Sequence, residues 1–170
     1  LRARALAGCA RPGAPARWVG SEPAAELRLG TGGECAGPPA GAELQAQAGD
    51  ERREAVWLPF GRAVAREVEL AARAELRAGA AGAAPGRVRL AVSVSRPSPW
   101  PWQRPVRVER TLDLAPGEWT AVRLPLTGAP AGRARVSLEA FPVGPAPACL
   151  PGLALGQPTF VADEARPARP

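Results

Sequence analysis

Between Arg87 and Leu126 apolar and polar residues alternate in three successive stretches. Val88, Leu90, Val92 and Val94 fall on one side, with Arg87, Arg89, Ser93 and Ser95 on the other. Val106, Val108, Leu112 and Leu114 repeat the pattern, and Val122, Leu124 and Leu126 repeat it again. A period of two sends one set into a core and the other into water, so the pattern predicts three half-buried strands. The joints agree. The prolines of SRPSPWPWQRP lack the N–H a ladder needs, and Ala115-Pro116-Gly117-Glu118 has the order of a tight turn.

Further strands are expected on both sides of this block. They are Ala24 to Leu29, Glu43 to Gln47 and Glu54 to Phe60, with a turn at Gly49-Asp50. Val64 to Arg77 carries good helix formers, but its longer alternation and its neighbours favour one strand. Gly30 to Gly41 and Gly79 to Gly86 read as glycine-rich loops. Arg133 to Phe141 alternates again, with Ala134, Val136 and Leu138 inward, and Leu153 to Val161 is a closing strand expected beside the first. Short strands at regular spacing predict an all-β protein, an antiparallel β-sandwich of jelly-roll type. The sandwich spans 24–161, with a tail or leader over 1–23 and a linker over 162–170.

At 170 residues the chain fits one domain with a sizeable core. Its 21 prolines and 19 glycines, beside the strands, indicate a loop-rich fold. No apolar run approaches the ~20 residues of a membrane-spanning helix. The formal net charge is +6, and all 22 basic residues are arginine. That excess of Arg, Ala, Gly and Pro matches GC-rich coding, so the charge does not by itself indicate a nucleic-acid partner. The sequence does not start with methionine, which implies a fragment or a processed chain.

The chain has no histidine, lysine or tyrosine. A Ser-His-Asp triad, a Cys-His pair, a histidine metal site and Schiff-base chemistry are therefore excluded within it. Two-carboxylate chemistry remains, with Asp50 and Glu51, Asp113 and Glu118, or Glu139 as the acids. These occupy ordinary solvated positions and form no convergent cluster, so no catalytic residue, cofactor or metal is assigned.

The strongest binding candidates are Trp100 and Trp102, in a proline-stiffened loop with Gln103 and flanked by Arg96 and Arg104. Indole faces stack on sugar rings, Arg and Gln bond hydroxyls, and a stiff loop loses little entropy on binding. The competing reading folds the indoles back over one end of the sandwich. Trp18, Trp57 and Trp119 are expected in the core or at its edge. Arg87, Arg89, Arg107, Arg133 and Arg135 would line one polar sheet face able to meet sulfate, uronate, phosphate or lipid head groups. Glu67, Glu69, Glu75, Glu109 and Glu139 are interspersed with them, so the field is mixed and nucleic acid is disfavoured.

Cys9, Cys35 and Cys149 lack metal-ligand spacing. Cys35 could pair with Cys149, or Cys9 with Cys35, in an oxidising compartment; buried free thiols in a reducing one are the alternative. Leu6-Ala7-Gly8-Cys9 resembles the lipobox of bacterial lipoproteins, which would acylate Cys9 and supply a membrane anchor. Arg2 and Arg4 depart from the apolar stretch that precedes it.

Taken together, the Val-rich strand, RTLDLAPGEWTAVRLPL, RVSLEAF and LALGQPTF resemble the galactose-binding-like jelly-roll domains of bacterial secreted enzymes. That resemblance implies a non-catalytic accessory domain of an envelope or secreted protein. It would support a neighbouring catalytic domain or bind carbohydrate or anionic polysaccharide, either within the larger protein or as a stand-alone module. ARPARP also resembles the linker before the first buried strand of sulfatase-like (alkaline-phosphatase-like) hydrolases, which implies a catalytic domain after Pro170.

Overall fold

The computed structural model describes residues 16–17, 26–29, 37–82, 85–96, 104–145 and 151–162. Among them there are eleven strands and no helix. They are β1 (Ala16–Arg17), β2 (Glu26–Leu29), β3 (Glu43–Ala48), β4 (Glu51–Pro59), β5 (Val64–Leu70), β6 (Ala74–Gly82), β7 (Gly86–Ser95), β8 (Val106–Leu114), β9 (Thr120–Pro125), β10 (Gly132–Val143) and β11 (Gly152–Ala162). A seven-stranded sheet runs β2-β3-β4-β11-β6-β9, with β1 also paired to β11, and a four-stranded sheet runs β5-β10-β7-β8.

The pairing is nested. β4 pairs with β11, β5 with β10, β6 with β9 and β7 with β8, each antiparallel. The chain from β4 to β11 is thus one long hairpin whose successive steps alternate between the two sheets, which is a jelly roll. The expected antiparallel sandwich is present, with one exception: β2 joins β3 in parallel at the sheet edge.

Alternation explains the core. Val56 and Leu58 of β4, Leu76 of β6, Leu90 and Val92 of β7, Leu138 of β10, and Leu153 and Leu155 of β11 point between the sheets and are fully buried. Both edges of the sandwich are closed by arginine. Arg66 of β5 forms an ion pair with Glu43 of β3, and Arg110 of β8 donates to the Arg123 carbonyl of β9.

Three expectations need correction. Val64 to Arg77 is two strands in different sheets, joined by a turn in which Arg73 has φ +54°. The turn leaves the even-numbered residues inward on both sides, so the alternation runs through the break unmarked. Gly79 to Gly86 is not a loop, because β6 continues to Gly82 as a central strand. Its small residues are required by tryptophans packed on its outer side, as described below. Finally, β11 does not lie beside the predicted first strand, now β2. It runs between β4 and β6 and meets β1 through Ala16↔Phe160 and Arg17↔Thr159. A bulge between Gly156 and Thr159, with Gln157 at φ +48°, separates its two halves.

A second, smaller core covers the outer side of the seven-stranded sheet. Trp57 is 1% exposed and lies there with Leu29, Leu44, Ala46, Ala48, Ala55, Ala81 and Ala154, while Trp119 packs against the cluster. Both indoles need a floor without side chains. A Cβ on Gly152 would stand 2.5 Å from Trp57 Cζ2, and one on Gly156 would stand 2.7 Å from Trp119 Cζ3. Trp119 is further held by a hydrogen bond from Nε1 to the Glu51 carbonyl (3.1 Å) and by the Arg53 guanidinium, 5.1 Å from its ring centre. Arg53 in turn holds the Glu51 carboxyl below its ordinary range through a side-chain hydrogen bond. The core roles expected for Trp57 and Trp119 are therefore found, but on the side of the sheet away from Val56 and Leu58.

Candidate functional site

Trp57 and Trp119 cover part of the outer side of the seven-stranded sheet, and the outer side of the four-stranded sheet is open and polar. The odd-numbered residues of β5, β10, β7 and β8 point there. The register sets Glu67, Arg135 and Ser95 in one row and Ala65, Ser137, Ser93 and Arg107 in the next. Glu139, Ala91 and Glu109 follow, then Phe141, Arg89 and Thr111. The middle of the face is consequently floored by small residues: Ala65, Ser137, Ser93, Ser95 and Ala91.

Long charged side chains stand around that floor. Arg107 Nε meets Glu109 at 2.8 Å and its Nη1 meets Glu139 at 2.9 Å, while the same nitrogen lies 3.5 Å from Ser93 Oγ. Hydrogen bonding to Glu109, and next to Glu139, raises the pKa of Arg107 further. The reciprocal bond from Arg107 holds the Glu109 carboxyl below its ordinary range, and the Arg89 charge adds to this. Arg89 approaches Glu109 at 3.7 Å, and Arg87 pairs with Asp113 at 3.2 Å. Arg89 and Arg107 both stand over the Phe141 ring, 5.4 Å and 6.0 Å from its centre. On the other side of the floor Arg133 Nε donates to Glu67 at 2.9 Å, which raises the Arg133 pKa. Arg135, directly opposite Glu67, is exposed and makes no ion pair or hydrogen bond with a described residue.

The structure thus gathers the five arginines of the predicted polar face, together with Glu67, Glu69, Glu109 and Glu139. Glu75 does not belong there. It lies on the seven-stranded sheet, nearly buried, with Arg77 Nη2 at 3.4 Å. The carboxylates considered for catalysis fall in separate places: Asp50 and Glu51 at the β3–β4 turn with Glu118 in the adjoining β8–β9 turn, Asp113 on the four-stranded sheet, and Glu139 beside Arg107. Among the described residues no group of three or more acidic or cysteine side chains is placed to hold a metal.

Arg96 and Arg104 are exposed at the two ends of the β7–β8 connection, beside the Val94↔Val106 pair that closes the hairpin. Trp100, Trp102 and Gln103 lie outside the described residues, as do Trp18, Cys9, Cys35 and Cys149. At the same end of the sandwich a groove of about 460 Å³ runs past Arg73, Leu126 and Gly128. The serine floor escaped the sequence reading. Ser93 and Ser95 were visible as outward residues, but Ser137 joins them only through the β7–β10 register.

No protein-family model matches the chain, and no curated protein matches it. Among solved structures it is similar to one described as TmCBM61 in complex with beta-1,4-galactotriose. The similarity has a TM-score of 0.39 and 17% identity, and covers 66% of this chain and 72% of that one.

Proposed function

We propose that this chain is a non-catalytic jelly-roll module that binds carbohydrate, accessory to a larger envelope or secreted enzyme. The ligand meets the β7–β8 loop, where Trp100 and Trp102 stack on sugar rings and Gln103, Arg96 and Arg104 bond hydroxyls. From there it extends over the adjoining serine-floored half of the four-stranded sheet. The observation that carries this reading is the contrast between the two outer sheet surfaces. One is covered over β3, β4 and the first half of β11 by the Trp57 and Trp119 layer, while the other is open, polar and shallow, with half-buried Ser93, Ser95 and Ser137 at its floor. Such a surface offers many hydroxyl-sized hydrogen-bonding sites and little apolar area, which suits a sugar chain better than a greasy ligand. The accessory position is what the likeness to galactose-binding-like domains implies, and a sulfatase-like partner domain after Pro170 belongs to the same proposal.

Affinity electrophoresis against a panel of neutral and acidic polysaccharides, with β-1,4-galactan included, tests the reading. Retardation of the wild type that is lost in Trp100→Ala/Trp102→Ala, with an unchanged unfolding midpoint, is the expected result. If no polysaccharide retards the wild type, the proposal is wrong.

A further inference from the structure

By number the arginines and carboxylates of the polar face balance, but their pairing is uneven beside the proposed binding loop. Along β7 and β8, Arg87, Arg89 and Arg107 face Asp113, Glu109 and Glu139, and each of these arginines is paired. Beside the loop, Arg133 and Arg135 stand opposite Glu69 and Glu67, and the exposed Arg96 and Arg104 at the ends of the β7–β8 connection add two positive charges at this end of the sandwich.

A diagonal pairing across the register leaves one cation over. Arg133 stands opposite Glu69 and Arg135 opposite Glu67, yet Arg133 takes the Glu67 carboxylate diagonally with both Nε and Nη2. Glu69 remains on the edge strand, opposite Arg133 and one row beyond Arg135. Among the described residues the Arg135 guanidinium has no partner, and its place in the ladder is beside Ser95 and Ser137. Its Cα partner across the ladder is Ser95, whose hydroxyl, like that of Ser137, has no hydrogen-bond partner among the described residues. Arg96 follows Ser95 directly. A planar fork with two unengaged hydroxyls beside it is a donor set for a carboxylate or a sulfate ester, whose oxygens accept in parallel.

We infer that Arg135, with Ser95 and Ser137, is an anion subsite, and that the ligand of this module is an acidic polysaccharide bearing uronate or sulfate groups. The inference rests on the carbohydrate reading above and names the class of sugar. The anionic group bonds Arg135 while neighbouring residues of the chain continue toward the β7–β8 loop. The carboxylates on both flanks, Glu67 and Glu139, restrict the anion to this point and disfavour a uniformly charged polymer such as nucleic acid.

The test measures binding of the full chain to four polymers: polygalacturonate, a sulfated galactan, neutral β-1,4-galactan and single-stranded DNA. Wild type is compared with Arg135→Gln and with Arg62→Gln, the latter removing one exposed charge at the opposite end of the sandwich. One or both acidic polysaccharides should bind more tightly than neutral galactan, and the polymer that binds identifies the anion. Arg135→Gln should weaken that binding about three- to tenfold, the range for a charge-assisted hydrogen bond that is partly screened. Arg62→Gln should leave it unchanged, and binding by wild type and by Arg62→Gln should fall steeply with added salt, while the residual binding of Arg135→Gln depends less on salt. Equal binding of neutral and acidic polymers, equal effects of the two substitutions, or tighter binding of DNA would each overturn the inference. Acidic-polysaccharide binding that is unchanged in Arg135→Gln would overturn the anion subsite alone. Failure of every polysaccharide would remove the carbohydrate reading with it.

Discussion

Gly156 lies directly beneath the indole of Trp119, so close that a Cβ on it would stand 2.7 Å from Cζ3. Gly79, its partner on β6, is equally confined, with the Arg53 guanidinium and the same indole over it. Two strands at the centre of the larger sheet are thus kept free of side chains so that a residue from the β8–β9 turn can cover them.

Gly156→Val should therefore destabilise the fold by about 1–3 kcal/mol, the usual cost of overpacking a tight site. Most of that loss should vanish when Trp119→Ala is present as well, since the clash is between these two residues. A urea-unfolding double-mutant cycle reads the coupling directly. Additive effects would show that the indole does not rest on the glycine.

Trp57 is the larger anchor of the same layer. Its ring fits over Gly152 and against Gly37, and both its backbone groups bond to the segment before β3: Gly41 N–H donates to its carbonyl and its own N–H donates to Ala42. Trp57→Ala should cost about 3–5 kcal/mol, typical of a fully buried large aromatic side chain. An unfolding midpoint close to wild type would contradict the packing described for the outer layer.

These two glycine-and-indole contacts also mark where the sequence could be read and where it could not. The inward residues of β7, β8, β9 and β10 were legible, because alternation depends only on near neighbours. Gly79 to Gly82 was not. Its composition says loop, while its actual constraint comes from Trp119, distant in the chain and close only once the sheet exists. The β5–β6 break was hidden because three turn residues preserve the parity of Leu70 and Ala74. The site divides in the same way. That Arg133 and Arg135 share a face follows from their spacing, but that Arg133 takes Glu67 diagonally, although Arg135 stands opposite it, is set by the side-chain arrangement of the folded sheet.

Acid should break the Arg107–Glu109 pair only below the ordinary carboxylate range. Hydrogen bonding from Arg107 holds the Glu109 carboxyl below its ordinary value. A depressed carboxylate contributes stability above the unfolded value near ~4.3 and loses it as pH falls through the folded one. A carbon-detected NMR titration should place the Glu109 midpoint below that reference value, and Arg107→Gln should raise it. A midpoint that does not respond to the substitution would mean that the pair does not form in solution.

The central claim, that the four-stranded sheet and its β7–β8 loop are the ligand side of the sandwich, is tested most directly by amide chemical-shift mapping. The label-bearing protein is titrated with oligosaccharides from whichever polysaccharide binds in electrophoresis. The account predicts shifts concentrated at Ser93, Ser95, Arg96, Arg104, Arg135 and Ser137, with Trp57, Gly152 and Gly156 unmoved. Shifts clustered on the tryptophan-covered sheet, or none at saturating sugar, would contradict it.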